Sequence, residues 1–371
     1  MKFNCDQQVL NKALNIVSKA VSTRTTIPTL KGILLEVKEE GLLNMKASDM
    51  DITIEEKVEV EAFESGAVIV PAKLFGDVIR KLPSGTVEIK AAEDKINIKC
   101  MNAEFSIIGM PADEFPNIKN IDENSREIGF DKEMLVNMIK KTSFAASIDQ
   151  TKGIVTGVLI DIKPDYMNMV AIDGYRMAIV KENIVSLSGD KIIISGRIMN
   201  EISKILAETG YENNDIKMVV SDKNAAIYVD NIIVTTRLMN GEFIRYEDIL
   251  PKESRLSVRV NRGDLTESIE RASLLSKEGK NNLIKLSIRE NILTITSHSE
   301  EGNVKEEVLI EKDGADLDIG FNSKYLLDIL RAVDDEVVKI YFKDSVSPCL
   351  VCPEEGDSYK YLLLPVRISN Y

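Results

Sequence analysis

VIVPAKLFGDVIRKLP (68–83) reads as an apolar strand running straight into a helix, and the chain states it twice more, as IISGRIMNEISKIL (193–206) and DIGFNSKYLLDILRAV (318–333). Pro71, Ser195 and Asn322 fall at the same place in the three copies, where the helix begins. Ser and Asn can accept hydrogen bonds from the exposed amides of a first turn, and Pro is tolerated there because it has no amide to satisfy. A second phrase also occurs three times: VLNKALNIVSKAVS (9–22), MLVNMIKKTSFAAS (134–147) and DLTESIERASLLSKE (264–278). Leu10, Leu14 and Val17 recur as Leu135, Ile139 and Thr142, then as Leu265, Ile269 and Ala272. That i, i+4, i+7 spacing places each trio on one face of a helix.

A third phrase is the antiparallel hairpin. VEIKAAEDKINIKCMNAEFSII (87–108), IKMVVSDKNAAIYVDNIIVTTRL (216–238) and VVKIYFKDSVSPCLVC (337–352) alternate apolar and polar residues around short turns. The repeat offset is about 125–130 residues, so the pattern predicts three α+β units, each with two helices covering antiparallel sheets of roughly eight strands. Polar connectors at 119–127 and 251–257 put the boundaries at 1–122, 128–250 and 255–371.

The 371 residues are too many for one ordinary core. The start, MKFNCDQQVLNKAL, has no long apolar run that would mark a secretory signal, and no stretch approaches the length of a membrane span. Four scattered Cys fit reduced thiols, and a cytoplasmic protein is expected. Trp is absent and aromatics are few, which argues against a stacking platform for single-stranded nucleic acid.

A formal net charge of -13 argues against DNA at first sight. The charge is segregated, however. Six helical windows (9–24, 73–81, 132–147, 197–207, 262–280 and 324–331) hold seventeen Lys/Arg against eight Asp/Glu, and the rest of the chain holds thirty against fifty-two. Lys73, Arg197 and Lys324 sit two residues after the helix-start position, and Arg80, Lys204 and Arg331 seven residues further on. The later set suits a helix dipole. The earlier set lies where the dipole disfavours cations, which points to phosphate. No base-reading motif accompanies them, so the contact would position without specifying sequence.

Nothing assembles a catalytic or metal site, and neither enzyme activity nor a cofactor is expected. His298 is the only histidine; it aligns in the repeat with Asp49 and Asp173, at a strand-end turn. Asp49 and Asp51 read as a solvated turn. Cys349 and Cys352 lie inside a hairpin strand, without the further ligands a zinc site requires. Walker, GxGxxG and GxSxG motifs are absent. A scaffold that binds only proteins remains an alternative to a DNA-binding device.

AIDGYRMA (171–178) resembles the Thr-Asp-Gly-His-Arg-Leu-Ala segment of the bacterial beta sliding clamp, the DNA polymerase III subunit beta. STRTTIPTLKGILLEV (22–37), VPAKLFGDVIRKLP (70–83), GMPADEFP (109–116) and YLLLPVRI (361–368) resemble the same family in the same order, so the likeness runs from Met1 to Ile368. The resemblance implies a ring-shaped head-to-tail homodimer that encircles duplex DNA and tethers the replicative polymerase, the clamp loader and other clamp-motif proteins. It implies a dimer interface near Phe105 and Ile107 in the first domain and Leu274 and Leu275 in the third; as residues alone, these four fit a core equally well. DNA contacts are implied at Arg24, Lys73, Gln150, Lys152 and Arg197, and the repeat adds Lys324.

A peptide-binding groove is implied at Val155, Ile172, Gly174, Tyr175, Arg176, Met177, Ile244, Tyr246, Ile249, Leu362, Leu364, Pro365, Val366 and Arg367, with Arg176 and Arg367 at its rim. Tyr175 stands where the enterobacterial form has His, Ile244 where it has Pro and Asp248 where it has Arg. Ser369, Asn370 and Tyr371 extend past the family's ending and could fold across the groove.

Overall fold

The computed structural model describes all residues except 23–24, 39–40, 117–124, 185–188, 210–213, 277–281 and 369–371. In the first repeat β1 (Lys2–Asp6) leads into α1 (Gln7–Val17), followed by β2 (Gly32–Lys38), β3 (Leu42–Ser48), β4 (Ile52–Glu59), β5 (Glu61–Glu64) and β6 (Gly66–Pro71). Then come α2 (Ala72–Lys81), β7 (Thr86–Ala92), β8 (Lys95–Cys100) and β9 (Ala103–Ile108). The second repeat runs β10 (Arg126–Asp131), α3 (Lys132–Thr142), β11 (Gly157–Ile162), β12 (Tyr166–Ile172), β13 (Arg176–Asn183) and β14 (Asp190–Ser195). It ends with α4 (Gly196–Glu208), β15 (Asp215–Val220), β16 (Asn224–Val229) and β17 (Ile232–Arg237). The third runs β18 (Leu256–Asn261), α5 (Arg262–Ser276), β19 (Leu283–Arg289), β20 (Ile292–Ser299), β21 (Gly302–Gly314) and β22 (Leu317–Asn322). It ends with α6 (Ser323–Ala332), β23 (Val337–Phe342), β24 (Cys349–Pro353) and β25 (Tyr359–Leu363).

The helix pattern read from sequence holds at every position. Leu10, Leu14, Val17, Leu135, Ile139, Thr142, Leu265, Ile269 and Ala272 are all fully buried. Thr142 can stand in for an aliphatic residue because its hydroxyl donates back to Met138 O at 2.7 Å. These three helices begin two residues earlier than the apolar pattern suggests, and α1 and α3 end sooner. Asp6 caps α1, accepting from Gln8 N and Val9 N at 2.9 and 3.3 Å, and α1 and α3 each give way to a short 3-10 turn. Asn322 caps α6 by accepting from Lys324 N and Tyr325 N, whereas Pro71 makes no capping bond. Gly196 opens α4 under close approach: a Cβ there would lie 2.8 Å from Ala146 Cβ.

The repeats do not keep their sheets to themselves. Three sheets run β5-β1-β7-β8-β9, β10-β15-β16-β17-β4-β3-β2-β6 and β14-β11-β12-β13-β25-β24-β23-β18-β21-β20-β19-β22. The last strand of the second repeat joins the first repeat antiparallel, with Val234 opposite Ile54 and Ile232 opposite Glu56. The last strand of the third joins the second in the same way, with Met177 opposite Leu362 and Ile179 opposite Lys360. Hydrogen bonding therefore divides the second repeat. One compact unit comprises Met1–Glu133 with Glu201–Leu238, and the other Met134–Asn200 with Met239–Tyr371. In the first unit, Glu56 of β4 is a buried carboxyl whose Oε2 has no hydrogen-bond partner, and burial pushes its pKa up to about 7.

Candidate binding surfaces

Lys73, Arg197 and Lys324 each occupy the second residue of their helix and are exposed. The later cations are held within the protein: Arg80 pairs with Asp77 at 3.1 Å, Lys204 with Glu201 at 2.8 Å and Arg331 with Glu270 at 2.7 Å. Local pairing and the dipole explain the later set. Gln150 and Lys152 lie exposed on a 3-10 turn, Gln150–Thr156, opened by Asp149, whose carboxylate accepts from Thr151 N at 3.0 Å. Arg24, the remaining DNA-contact candidate, lies outside the described residues, as do Ser369, Asn370 and Tyr371.

The groove candidates converge in the second unit. Cross-strand register makes its floor: Ile193 lies opposite Leu159, Leu159 opposite Val170, and Val170 opposite Ile179. Beside them Ile172 lies opposite Met177, which lies opposite Leu362. Side chains opposite one another share a face, so these residues form one apolar surface. Phe243 and Tyr246 close over it, and Ile154, Val155, Met239, Leu250 and Leu350 pack around it half-buried. Ile244, Ile249, Leu364 and Tyr175 stand exposed, as do Gly174 and Arg367, while Pro365 and Val366 are half-buried. The ending is tied down by Leu364 N donating to Tyr175 O at 2.9 Å and Val366 N donating to Gly320 O at 2.8 Å. Leu159, Val170, Ile179, Ile193 and Phe243 were missed from sequence; β11 and β12 are buried on both faces, so no alternation distinguishes the groove face from the helix-covered one.

Tyr246 is fixed from below. Its hydroxyl donates to Asp161 Oδ2 at 2.8 Å and accepts from Asn168 Nδ2 at 3.0 Å. Lys163 Nζ lies 3.1 Å from Asp161 Oδ1, near enough to pair by charge although it is not aligned as a hydrogen bond. Burial raises the Tyr246 pKa, and the adjacent Asp161 carboxylate raises that of Lys163.

Arg176 does not stand at the rim, where sequence placed it. It is 8% exposed and turns inward. Its Nε donates to Asp173 Oδ2 at 3.1 Å, Nη1 to Asp328 Oδ2 at 2.6 Å and Nη2 to Phe144 O at 2.7 Å. Its guanidinium lies 4.5 Å from the Tyr325 ring centroid and 5.2 Å from that of Phe144. A guanidinium can saturate a fork of acceptors and still stack, which a rim position would leave to water. Arg176 is therefore a brace between β13, the Phe144 turn and α6.

Phe105 is exposed on β9 and Ile107, two residues further along the same face, is buried, while Leu274 is 67% exposed on α5 and Leu275 half-buried. Ile108 and Leu309, at 76% and 81% exposed, are further uncovered apolar residues on β9 and β21. β9 is an open sheet edge. The Gly302–Leu309 stretch of β21 is paired on one side by β20, while β18 takes only Ile310–Gly314 on the other.

The residues set aside as catalytic or metal ligands stay apart. Cys349 and Cys352 point to opposite faces of β24, with burial raising the pKa of Cys349 to about 12 and that of Cys352 to about 11. Asp49 Oδ1 accepts from Asp51 N and Ile52 N, an Asx turn. Asp173 does the same with Tyr175 N and Arg176 N. His298 departs from that alignment: it lies within β20 opposite Asn303, where β3 and β12 carry Ser48 and Ile172, and Ser299 takes the place of Asp49 and Asp173. Among the described residues no group of three His, Cys, Asp or Glu could hold a metal, and no helix is long and apolar enough to cross a membrane.

Family models for the DNA polymerase III beta subunit match along the chain: the N-terminal domain at 1–119, the central domain at 130–244 and the C-terminal domain at 247–367. The beta sliding clamp of Staphylococcus epidermidis is 33% identical over 379 residues, covering 99% of both chains. The crystal structure of the DNA polymerase sliding clamp of Bacillus subtilis superposes with a TM-score of 0.93 at 30% identity, covering 100% of both chains. That of the Pseudomonas aeruginosa sliding clamp bound to griselimycin gives 0.92 at 27% identity, covering 99% of this chain and 100% of the other.

Proposed function

The chain belongs to the DNA polymerase III beta subunit family, and on that premise we propose which of its surfaces meet DNA, protein partners and a second copy of itself. Its function is that of a sliding clamp, a non-catalytic processivity factor of DNA polymerase III. On our reading the working form is a head-to-tail dimer, a ring acting where the chromosome is, inside the cell. The repeats at 1–122, 128–250 and 255–371 are its domains.

One observation carries the dimer. The last strand of each following repeat pairs with the third-hairpin strand of the repeat before it: β17 with β4, and β25 with β13. By the same rule β9, the last strand of the first repeat, needs the Gly302–Leu309 stretch of a β21, and both edges are open. Two copies satisfy both edges at once, and equal head-to-tail contacts close under two-fold symmetry. Phe105, Ile108 and Leu309 would be covered at those seams, with Leu274 and Leu275 beside them and Ile107 supporting from the core.

Lys73, Arg197, Lys324, Gln150, Lys152 and Arg24 are assigned to phosphate contact. Such contacts without base readout permit sliding. The apolar surface around Met177, Leu362 and Tyr246 is assigned to short segments of polymerase, clamp loader and other partners, and to griselimycin. Its buried floor and exposed rim of Ile244, Ile249, Leu364 and Tyr175 fit an apolar ligand.

The test of the assembly is topological. Loaded by a clamp loader onto nicked circular DNA, the protein stays bound, and linearising the circle releases it. Equal loss from circle and line overturns the reading. For the groove, Leu364→Glu abolishes griselimycin binding in calorimetry while the dimer persists; unchanged affinity misplaces the site.

A further inference from the structure

We propose that Lys152 couples the DNA-facing surface to the groove, because the cation offered to phosphate is the one that lies on a groove side chain. The inference rests on the assignments of Lys152 and of the groove made above.

Lys152 Nζ lies 5.3 Å from the centroid of the Tyr175 ring and 3.4 Å from Asp173 O, to which it donates. Tyr175 is anchored through its backbone. Its N donates to Asp173 Oδ1 at 2.9 Å and its O accepts from Leu364 N. Its ring is exposed, with the Lys152 ammonium on it and the Tyr325 ring stacked 6.0 Å away at 26°. The placement of both neighbours is informative. Lys152 is followed, across the backbone kink at Gly153, by Ile154 and Val155, which pack on the apolar cluster. Tyr325 follows Lys324 in the first turn of α6. In both places a cation assigned to DNA lies within three residues of a side chain that packs on the apolar cluster or on the Tyr175 ring.

An ammonium over an exposed ring is a weak tie, broken readily when a phosphate competes for the charge. Duplex DNA at Lys152 therefore uncovers the Tyr175 ring face for a ligand in the groove. By linkage a groove ligand strengthens DNA contact at Lys152 by the same factor. The tie's strength sets the coupling at about two- to fivefold.

The experiment is calorimetric titration of the full-length chain with griselimycin at low ionic strength, with and without a short duplex. The wild type binds griselimycin about two- to fivefold more tightly with DNA present. Lys152→Gln binds as tightly without DNA as the wild type does with it, and does not respond to DNA. Lys152→Arg restores the response, which a merely structural role for the side chain would not require. A Lys152→Gln protein that keeps the full DNA response, or that binds no more tightly than wild type without DNA, overturns the coupling. A wild type that binds griselimycin with no DNA response overturns the coupling alone. A wild type that does not bind griselimycin overturns the groove assignment and the coupling together.

Discussion

Arg176 Nη1 lies 2.6 Å from Asp328 Oδ2, so a guanidinium on β13 of the second repeat reaches a carboxylate on α6 of the third. The same side chain serves Asp173 and the Phe144 carbonyl. Replacing it with Met strands those acceptors in a desolvated place. The expected loss of stability is about 3–5 kcal/mol, read as an earlier transition in urea unfolding. Lys at this position does not rescue it, because a point charge cannot fork to three acceptors and stack.

Tyr246→Phe removes one hydroxyl and leaves Asp161 and Asn168 without their shared partner. A buried polar group left unmet costs about 1–3 kcal/mol. The variant should melt lower and bind griselimycin more weakly. Asn168→Ala, which removes only the donor to the hydroxyl, should show the smaller part of both effects.

Glu56 gives the fold a pH dependence. Its folded pKa, about 7, is raised above the ordinary carboxylate value by burial, so its protonated form is the one the fold accommodates. The stability linked to it is fully present below the unfolded pKa and is lost as pH rises through about 7. Glu56→Gln keeps a neutral group at every pH. It should therefore match wild type near pH 3.5 and exceed it near pH 8 by about 3 kcal/mol, measured by denaturant titration at the two pH values. Equal stability at both pH values would count against the raised pKa.

Lys73→Gln and Lys324→Gln should weaken duplex binding on any sequence alike. Each should lower the slope of log affinity against log salt by about one. Arg80→Gln, whose side chain already pairs with Asp77, should change the slope little.

In the proposed dimer the open strands of two copies meet. Leu309→Lys combined with Ile108→Lys puts charge on both exposed edges and should yield a folded monomer in sedimentation. Leu274→Glu alone should shift the equilibrium in the same direction.

The helices were legible because their rule is local: i, i+4, i+7 over two turns of sequence decides which side is buried, and all nine residues named on that rule are. The first-turn cations were legible for the same reason. Strand partners were not, because Ile232 and Glu56 are brought together by pairing that no window contains. Arg176 was misplaced on similar grounds: its neighbours Phe144 and Asp328 are remote in the chain, and an Arg beside a turn reads as exposed. His298 was misjudged by one residue of alignment. The groove's identity came through resemblance, but its floor did not, since strands buried on both faces lose the alternation that would separate one face from the other.

The central repeat is a unit of sequence but not of cooperativity. Its β11–β14 hairpins are sewn to the third repeat and its β15–β17 hairpins to the first. Cut out at its own ends, it would expose raw strand edges on both sides, at β13 and at β17, and invite misassembly. Amide exchange should accordingly divide it, with β11–β14 opening alongside β23–β25 and β15–β17 opening alongside β2–β4. Fragments meant to fold alone are better drawn along these hydrogen bonds than along the repeats.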